Sequence, residues 1–148
     1  MKKRRGFVQF AILNLLKEGP MHGYQIMKEL EERSSGAYTA SAGTVYPALQ
    51  ELLDQSLIEL DMGSDKKVYS LTDSGKERIV EKHTEGDFWS EWKERMVWRN
   101  SKESVQLREA VDRWEKELHK AMKQARGNPE SVRELIAIVE EMTSRLNK

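Results

Sequence analysis

Chemistry in this chain would have to come from three histidines, from paired carboxylates, or from a run of small and hydroxyl-bearing residues beginning at Ser41. His22, His83 and His119 fall in three different predicted helices, with no His-x-x-x-His or His-Glu-x-x-His spacing. Surface or capping positions therefore fit them better than a metal or a general base. Glu31 with Glu32 and Glu140 with Glu141 lie in segments rich in both signs of charge and read as solvated helix faces. There is no Gly-x-Ser-x-Gly nucleophile turn, and Gly19, Gly23 and Gly36 are scattered at element ends rather than gathered in a phosphate loop. With no cysteine, a disulfide framework, a thiolate metal site and cysteine catalysis are excluded. No enzyme, metal or cofactor is expected.

What is left is hydrogen bonding to an anion or to the edge of a base. Ser41, Ala42, Gly43 and Thr44 are all small, so a ligand backbone can come close to them, and the N–H groups of a helix beginning there would attract phosphate. Tyr46 adds a hydroxyl for a phosphate or a base edge. Further on, Ser64, Lys66 and Lys67 offer donors, while Asp65 between them would be repelled by an anion unless it shapes the turn. Lys2 to Arg5 add four cations able to track a polyanion. Each has a plainer alternative: a solvated tail, charges that blunt a hairpin edge, or half-buried packing tyrosines. Only the order of the elements that carry them decides.

Those elements begin with apolar residues at 7, 8, 11, 12, 13, 15 and 16, a density that predicts a helix buried over much of its circumference and ended by Gly19-Pro20. His22 to Arg33 predicts a second helix, with Tyr24, Ile26, Met27 and Leu30 on one side. Ser41 to Gln55 predicts a third, burying Val45, Ala48, Leu49, Leu52 and Leu53, and Pro47 requires it to start near Gly43 or Thr44 or to bend there. The period then becomes two, in Ile58, Leu60 and Met62 and again in Tyr69 and Leu71, around the turn Gly63-Ser64-Asp65-Lys66. Three helices followed by a hairpin are the plan of a winged helix-turn-helix. Its third helix enters the major groove of double-stranded DNA, roughly 12 Å wide, while the hairpin tip reaches a flanking phosphate or the minor groove.

Thr72-Asp73 caps a fourth helix that runs until Gly86, and Asp87 restarts it with Trp89, Trp92 and Met96 on one face. Asn100 with Glu103 resembles a capping box. Leu107, Val111, Trp114, Leu118, Ala121 and Ala125 then recur at steps of four and three, and after Gly127-Asn128-Pro129 the residues Val132, Leu135, Val139, Met142 and Leu146 repeat that seam. These helices, roughly 35 to 40 Å and 25 to 30 Å long, are too long to pack only on a small N-terminal domain. With 148 residues, 38% hydrophobic and 34% charged, the core is thin, and a second subunit is the natural completion. The expected architecture is mainly α with a small two-stranded β-hairpin wing, divided into a winged helix-turn-helix domain over 1–84 and a C-terminal helical dimerisation domain over 85–148. Twenty-five basic residues balance 25 acidic ones, so cations for nucleic acid must be concentrated locally. The basic start imitates a secretory signal, but Gln9 and Asn14 interrupt its apolar run, and no run approaches the roughly 18 apolar residues of a membrane span. A cytoplasmic location without membrane partners is expected.

Three blocks in this order resemble the PadR-like family of transcriptional regulators: Gly19-Pro20-Met21-His22-Gly23-Tyr24-Gln25-Ile26, Gly43-Thr44-Val45-Tyr46-Pro47-Ala48-Leu49, and Val68-Tyr69-Ser70-Leu71-Thr72-Asp73-Ser74-Gly75. They cover the first half of the chain; the second half is similar only in being helical. The resemblance implies a dimeric repressor whose third helix and wing contact operator DNA, with Thr44 and Tyr46 in the reading helix and Tyr24 near a phosphate. Two departures stand out. Ser56-Leu57 replaces the family's usual Gly-Leu, and the wing has Asp65-Lys66-Lys67 where arginine is usual. Members of that family often respond to small aromatic or drug-like compounds, or to no known ligand; Trp89 or Trp92 at the dimer centre offers a ring on which a flat effector could stack, against the plainer reading that these rings pack the dimer. The competing function is a winged-helix protein-interaction module, which would gain if acids such as Glu51 and Asp65 dominated the reading face.

Overall fold

The structure, a computed structural model, describes the backbone of residues 2–63, 65–82 and 86–148, and the side chains from Gly6 onward within those stretches. Ser64 and His83, and the side chains of Lys2 to Arg5, lie outside the described residues.

The apolar run at the start forms α1 (Lys2–Leu16), which buries Val8, Ala11, Ile12, Leu13, Leu15 and Leu16. Gly19 takes φ 150° and, with Pro20, turns the chain into a two-residue strand β1 (Met21–His22). Helix α2 (Gly23–Arg33) follows, capped by His22 in a reciprocal box: the Gln25 N–H donates to His22 Nδ1 at 3.3 Å, and the His22 N–H donates to Gln25 Oε1 at 3.1 Å. Helix α3 (Ala42–Asp54) lays Val45, Ala48, Leu49 and Leu52 on the core. It begins at Ala42 and keeps Pro47 inside it, earlier than the expected start near Gly43 or Thr44. Pro47 has no N–H to offer the carbonyl of Gly43, four residues back, and that loss falls near the exposed end of the helix, where solvent can compensate.

Strands β2 (Ile58–Asp61) and β3 (Val68–Leu71) pair antiparallel, with Ile58 opposite Leu71 and Asp61 opposite Val68. β1 joins the other edge of β3, Met21 opposite Tyr69 and His22 opposite Val68, so the wing is a three-stranded sheet in the order β1-β3-β2 where two strands were expected. This third strand ties the start of α2 to the wing. Thr72 then caps α4 (Asp73–Glu81), accepting from the Gly75 N–H at 3.1 Å and donating to the Ser56 carbonyl at 2.7 Å.

Helix α5 (Phe88–Asn100) completes the first core. Trp92 is wholly buried, donates its indole N–H to the Leu30 carbonyl at 3.2 Å, and packs among Phe7, Tyr38 and Phe88. For this reason the two compact units are 1–100 and 101–148, where the expected division lay at 84/85. The second unit consists of α6 (Lys102–Ala125) and α7 (Pro129–Leu146), packed together. Ser101, not Asn100, caps α6, its hydroxyl accepting from the Ser104 N–H at 3.1 Å, while Asn100 donates to the Ala37 carbonyl inside the first unit. Asn128 caps α7, with Pro129 in its first turn as expected.

Candidate nucleic-acid interface

Helix α3 is amphipathic in a particular way. Once Val45, Ala48 and Leu49 are committed to the core, the residues left outside from Ser41 as far as Gln50 are Ser41, Ala42, Gly43, Thr44, Tyr46, Pro47 and Gln50. None of them carries charge, and the first five are small or hydroxyl-bearing. Ser41 Oγ lies 3.1 Å from Thr44 Oγ1, and the Ser41 side chain caps none of the first N–H groups of the helix, so that end remains suited to an anion. The acids of α3 are placed further along. Glu51 takes a hydrogen bond from Gln9 of α1, and Asp54 takes one from Gln50 at 3.0 Å.

Next to this face a cleft of about 370 Å³ is lined by His22, Gly23, Tyr24, Tyr46, Lys66, Lys67 and Tyr69. Three elements converge there: the start of α2, the second turn of α3, and the wing. Tyr24 is 68% exposed, beside the ring of His22. Tyr46 is 45% exposed, and its ring passes over Gly23. Tyr69 is buried beneath them, and burial first, then the neighbouring Tyr46, raises its phenol above the ordinary value. Lys66 and Lys67 are exposed on the wing loop, as is Asp65. A carboxylate seen to shape that loop is Asp61, which accepts from the Gly63 N–H at 2.8 Å.

Of the residues named from sequence, Tyr24, Tyr46, Lys66 and Lys67 line this one cleft, while Ser41, Gly43 and Thr44 lie at the start of α3. His22, Gly23 and Tyr69 were missed. The Tyr69 position was legible only as a strand residue, and the β1 pairing that brings His22 beside it spans two residues, too few for a periodic signal.

Trp89 and Trp92 are not alike. Trp92 has no face for a ligand, a correction to its expected stacking role that follows from its place in the core. Trp89 is half-buried and lines a separate cleft of about 380 Å³ with Phe10, Asn14, Lys17, Glu18 and Phe88 in the first unit. The Arg33 guanidinium sits 4.5 Å over its ring and forms ion pairs with Glu18 and Glu29. Among the described residues no group of His, Asp and Glu could hold a metal ion, and no helix is long and apolar enough to cross a membrane.

A mainly helical unit whose third helix stands exposed beside a small antiparallel sheet defines a winged helix-turn-helix protein of the kind that regulates transcription. Residues 12–81 match the transcriptional regulator PadR-like family, so the chain carries a PadR-like domain. It is 28% identical over 137 residues to the transcriptional regulator YqjI of Escherichia coli, covering 91% of this chain and 66% of that protein. It is 35% identical over 77 residues to the negative transcriptional regulator PadR of Bacillus subtilis, covering 49% of this chain and 42% of the relative. The chain thus spans about two thirds of one curated relative and less than half of the other. A transcriptional regulator from Clostridium thermocellum superimposes with a TM-score of 0.52 at 28% identity, over 55% of this chain and 84% of that one.

Proposed function

We propose that this protein is a PadR-family repressor that binds double-stranded DNA as a homodimer on a near-palindromic operator. The observation that carries the reading is the convergence of Tyr24, Tyr46, Lys66 and Lys67 in one cleft beside an uncharged, exposed start of α3. In it the α3 start, with Ser41, Gly43 and Thr44, lies in the major groove, and Tyr46 reaches a base edge or phosphate. Lys66 and Lys67 on the wing, and Tyr24 on α2, meet the flanking backbone. Glu51 is engaged toward α1, which weakens the competing protein-interaction module. Repression would follow from occlusion of a promoter, and the Bacillus subtilis relative's description as a negative regulator points the same way. The second unit would supply the dimer contact. A small planar aromatic effector, if one acts, would stack on Trp89 in its cleft within the first unit rather than on Trp92.

The test is a gel shift with duplex from upstream of the protein's own or a neighbouring gene, repeated across salt. Binding is expected to weaken as salt rises, with a log–log slope that becomes shallower by about one for each of Lys66→Ala and Lys67→Ala. A protein that binds no such duplex at low salt would end the reading.

A further inference from the structure

Gly23 opens α2, and its φ is not in the left-handed range, so the backbone does not demand glycine there. Glycine is also among the least favourable helix residues. The reason for it is steric and comes from another helix. A Cβ at position 23 would lie 2.8 Å from the hydroxyl oxygen of Tyr46, closer than real Cβ atoms come, and at a tight 3.1 Å from its Cε1 and Cζ atoms. The bare backbone of Gly23 is therefore a seat for the outer edge of the Tyr46 ring.

We propose that Gly23 is a positioning residue for DNA recognition, whose missing side chain sets where the Tyr46 hydroxyl stands relative to the start of α3. The proposal rests on the DNA-binding reading above and names a further residue on which that reading depends. What a methyl at position 23 would displace is the far end of a side chain, which can rotate away, so the fold tolerates the change and the recognition geometry does not. Gly75 is the internal contrast. A Cβ there would meet the Leu57 carbonyl oxygen at 2.2 Å, a backbone atom that cannot step aside.

The experiment uses the full chain in four forms: wild type, Gly23→Ala, Tyr46→Ala and the double variant. The probe is a duplex enriched by the wild-type protein from a randomised pool, with an unselected duplex of equal length as control. Gly23→Ala is expected to lower affinity for the selected duplex by roughly tenfold, comparable to the loss of one base pair's recognition, with the control duplex unaffected. In the Tyr46→Ala background it is expected to change neither. An unchanged affinity in Gly23→Ala, or an equal loss in both backgrounds, would overturn the proposal. The Tyr46 ring NMR signals, identified by their loss in Tyr46→Ala and compared between wild type and Gly23→Ala, separate the two claims. If the wild type binds no duplex at all, the regulator reading falls with the recognition role. Ring signals shifted by Gly23→Ala would still support the Gly23–Tyr46 seat, and unshifted ones would overturn it.

Discussion

In the proposed complex the exposed Thr44 and Tyr46 hydroxyls on the α3 surface face the duplex. Thr44→Ala with Tyr46→Ala is expected to weaken binding to a selected duplex by tenfold or more and to leave the unfolding midpoint nearly unchanged, since both residues are exposed. Melting and gel-shift measurements on one preparation check both halves of that statement. The hydroxyl chemistry was legible from residue types alone. The seat under Tyr46 was not, because a glycine at the start of a helix looks the same in sequence whether it answers to its own backbone or to a ring from elsewhere. Ser56 shows the converse case. Its φ of 59° is left-handed, at the position where the family usually has glycine, and only the structure makes the departure a strained one. Ser56→Gly is expected to stabilise the protein by about 0.5–1 kcal/mol, the relief of a left-handed side chain less the greater freedom of glycine when unfolded. Glu18 supplies a pH dependence. Hydrogen bonds from Arg33 hold its carboxyl below the ordinary 4.5, outweighing a desolvation that pushes the other way. A depressed carboxyl stabilises the fold fully above the unfolded value and loses that contribution as pH falls through the lowered one. The side chain is 47% exposed, so the effect is screened and small. Wild type and Glu18→Gln should differ in melting temperature at neutral pH and draw together as pH falls below 4.5 and through the lowered value, a convergence that thermal melts across pH would reveal.

At the level of elements, periodicity found every long helix and both strands of the hairpin, because a thin core forces apolar residues into regular spacing. It failed where an element is too short or where an unusual residue does a common job. β1 has two residues, and His22 caps α2 in place of the usual serine or threonine. It also placed α5 with the wrong neighbours. A face with Trp89, Trp92 and Met96 looks the same whether its partner is a twin subunit or the first three helices, and the hydrogen bond from Trp92 to Leu30 belongs to tertiary structure. The chain just past the end of α3 and the start of α4 meet closely at Leu57 and Gly75. The Leu57 carbonyl accepts from the Thr72 N–H at 3.2 Å, and Gly75 lets the first turn of α4 close against that carbonyl. Gly75→Ala is expected to cost roughly 1–3 kcal/mol, the penalty of overpacking a tight contact, and to lower the denaturant midpoint without altering the slope. The same measurement on Gly23→Ala should show little change, which is what distinguishes a structural glycine from one that positions a side chain.

For the molecule as a whole, the decisive feature is how little the second unit buries. Leu107, Val111 and Trp114 are exposed at intervals of four and three along α6, and Val132, Ile136 and Val139 repeat the interval along α7. Ser104 and Ala125 are the buried residues of α6, and among the described residues α7 has none. At 24 and 18 residues these helices are about 36 and 27 Å long, long enough for a second copy to cover two continuous strips. Apolar strips of that extent are rare on a protein that stays a monomer. The wild-type chain is therefore expected to sediment at about twice its 17.2 kDa. Val111→Glu, a change that an exposed helix position tolerates in a monomer, should convert it to a single subunit with intact helical content. If recognition uses two α3 helices about 34 Å apart on the duplex, that variant must also lose most of its affinity for a palindromic site while keeping its weak affinity for a half-site. A variant that dissociates yet binds the full site undiminished would show that one α3 helix suffices. A wild-type chain already monomeric at micromolar concentration would place the exposed strips outside any self-association.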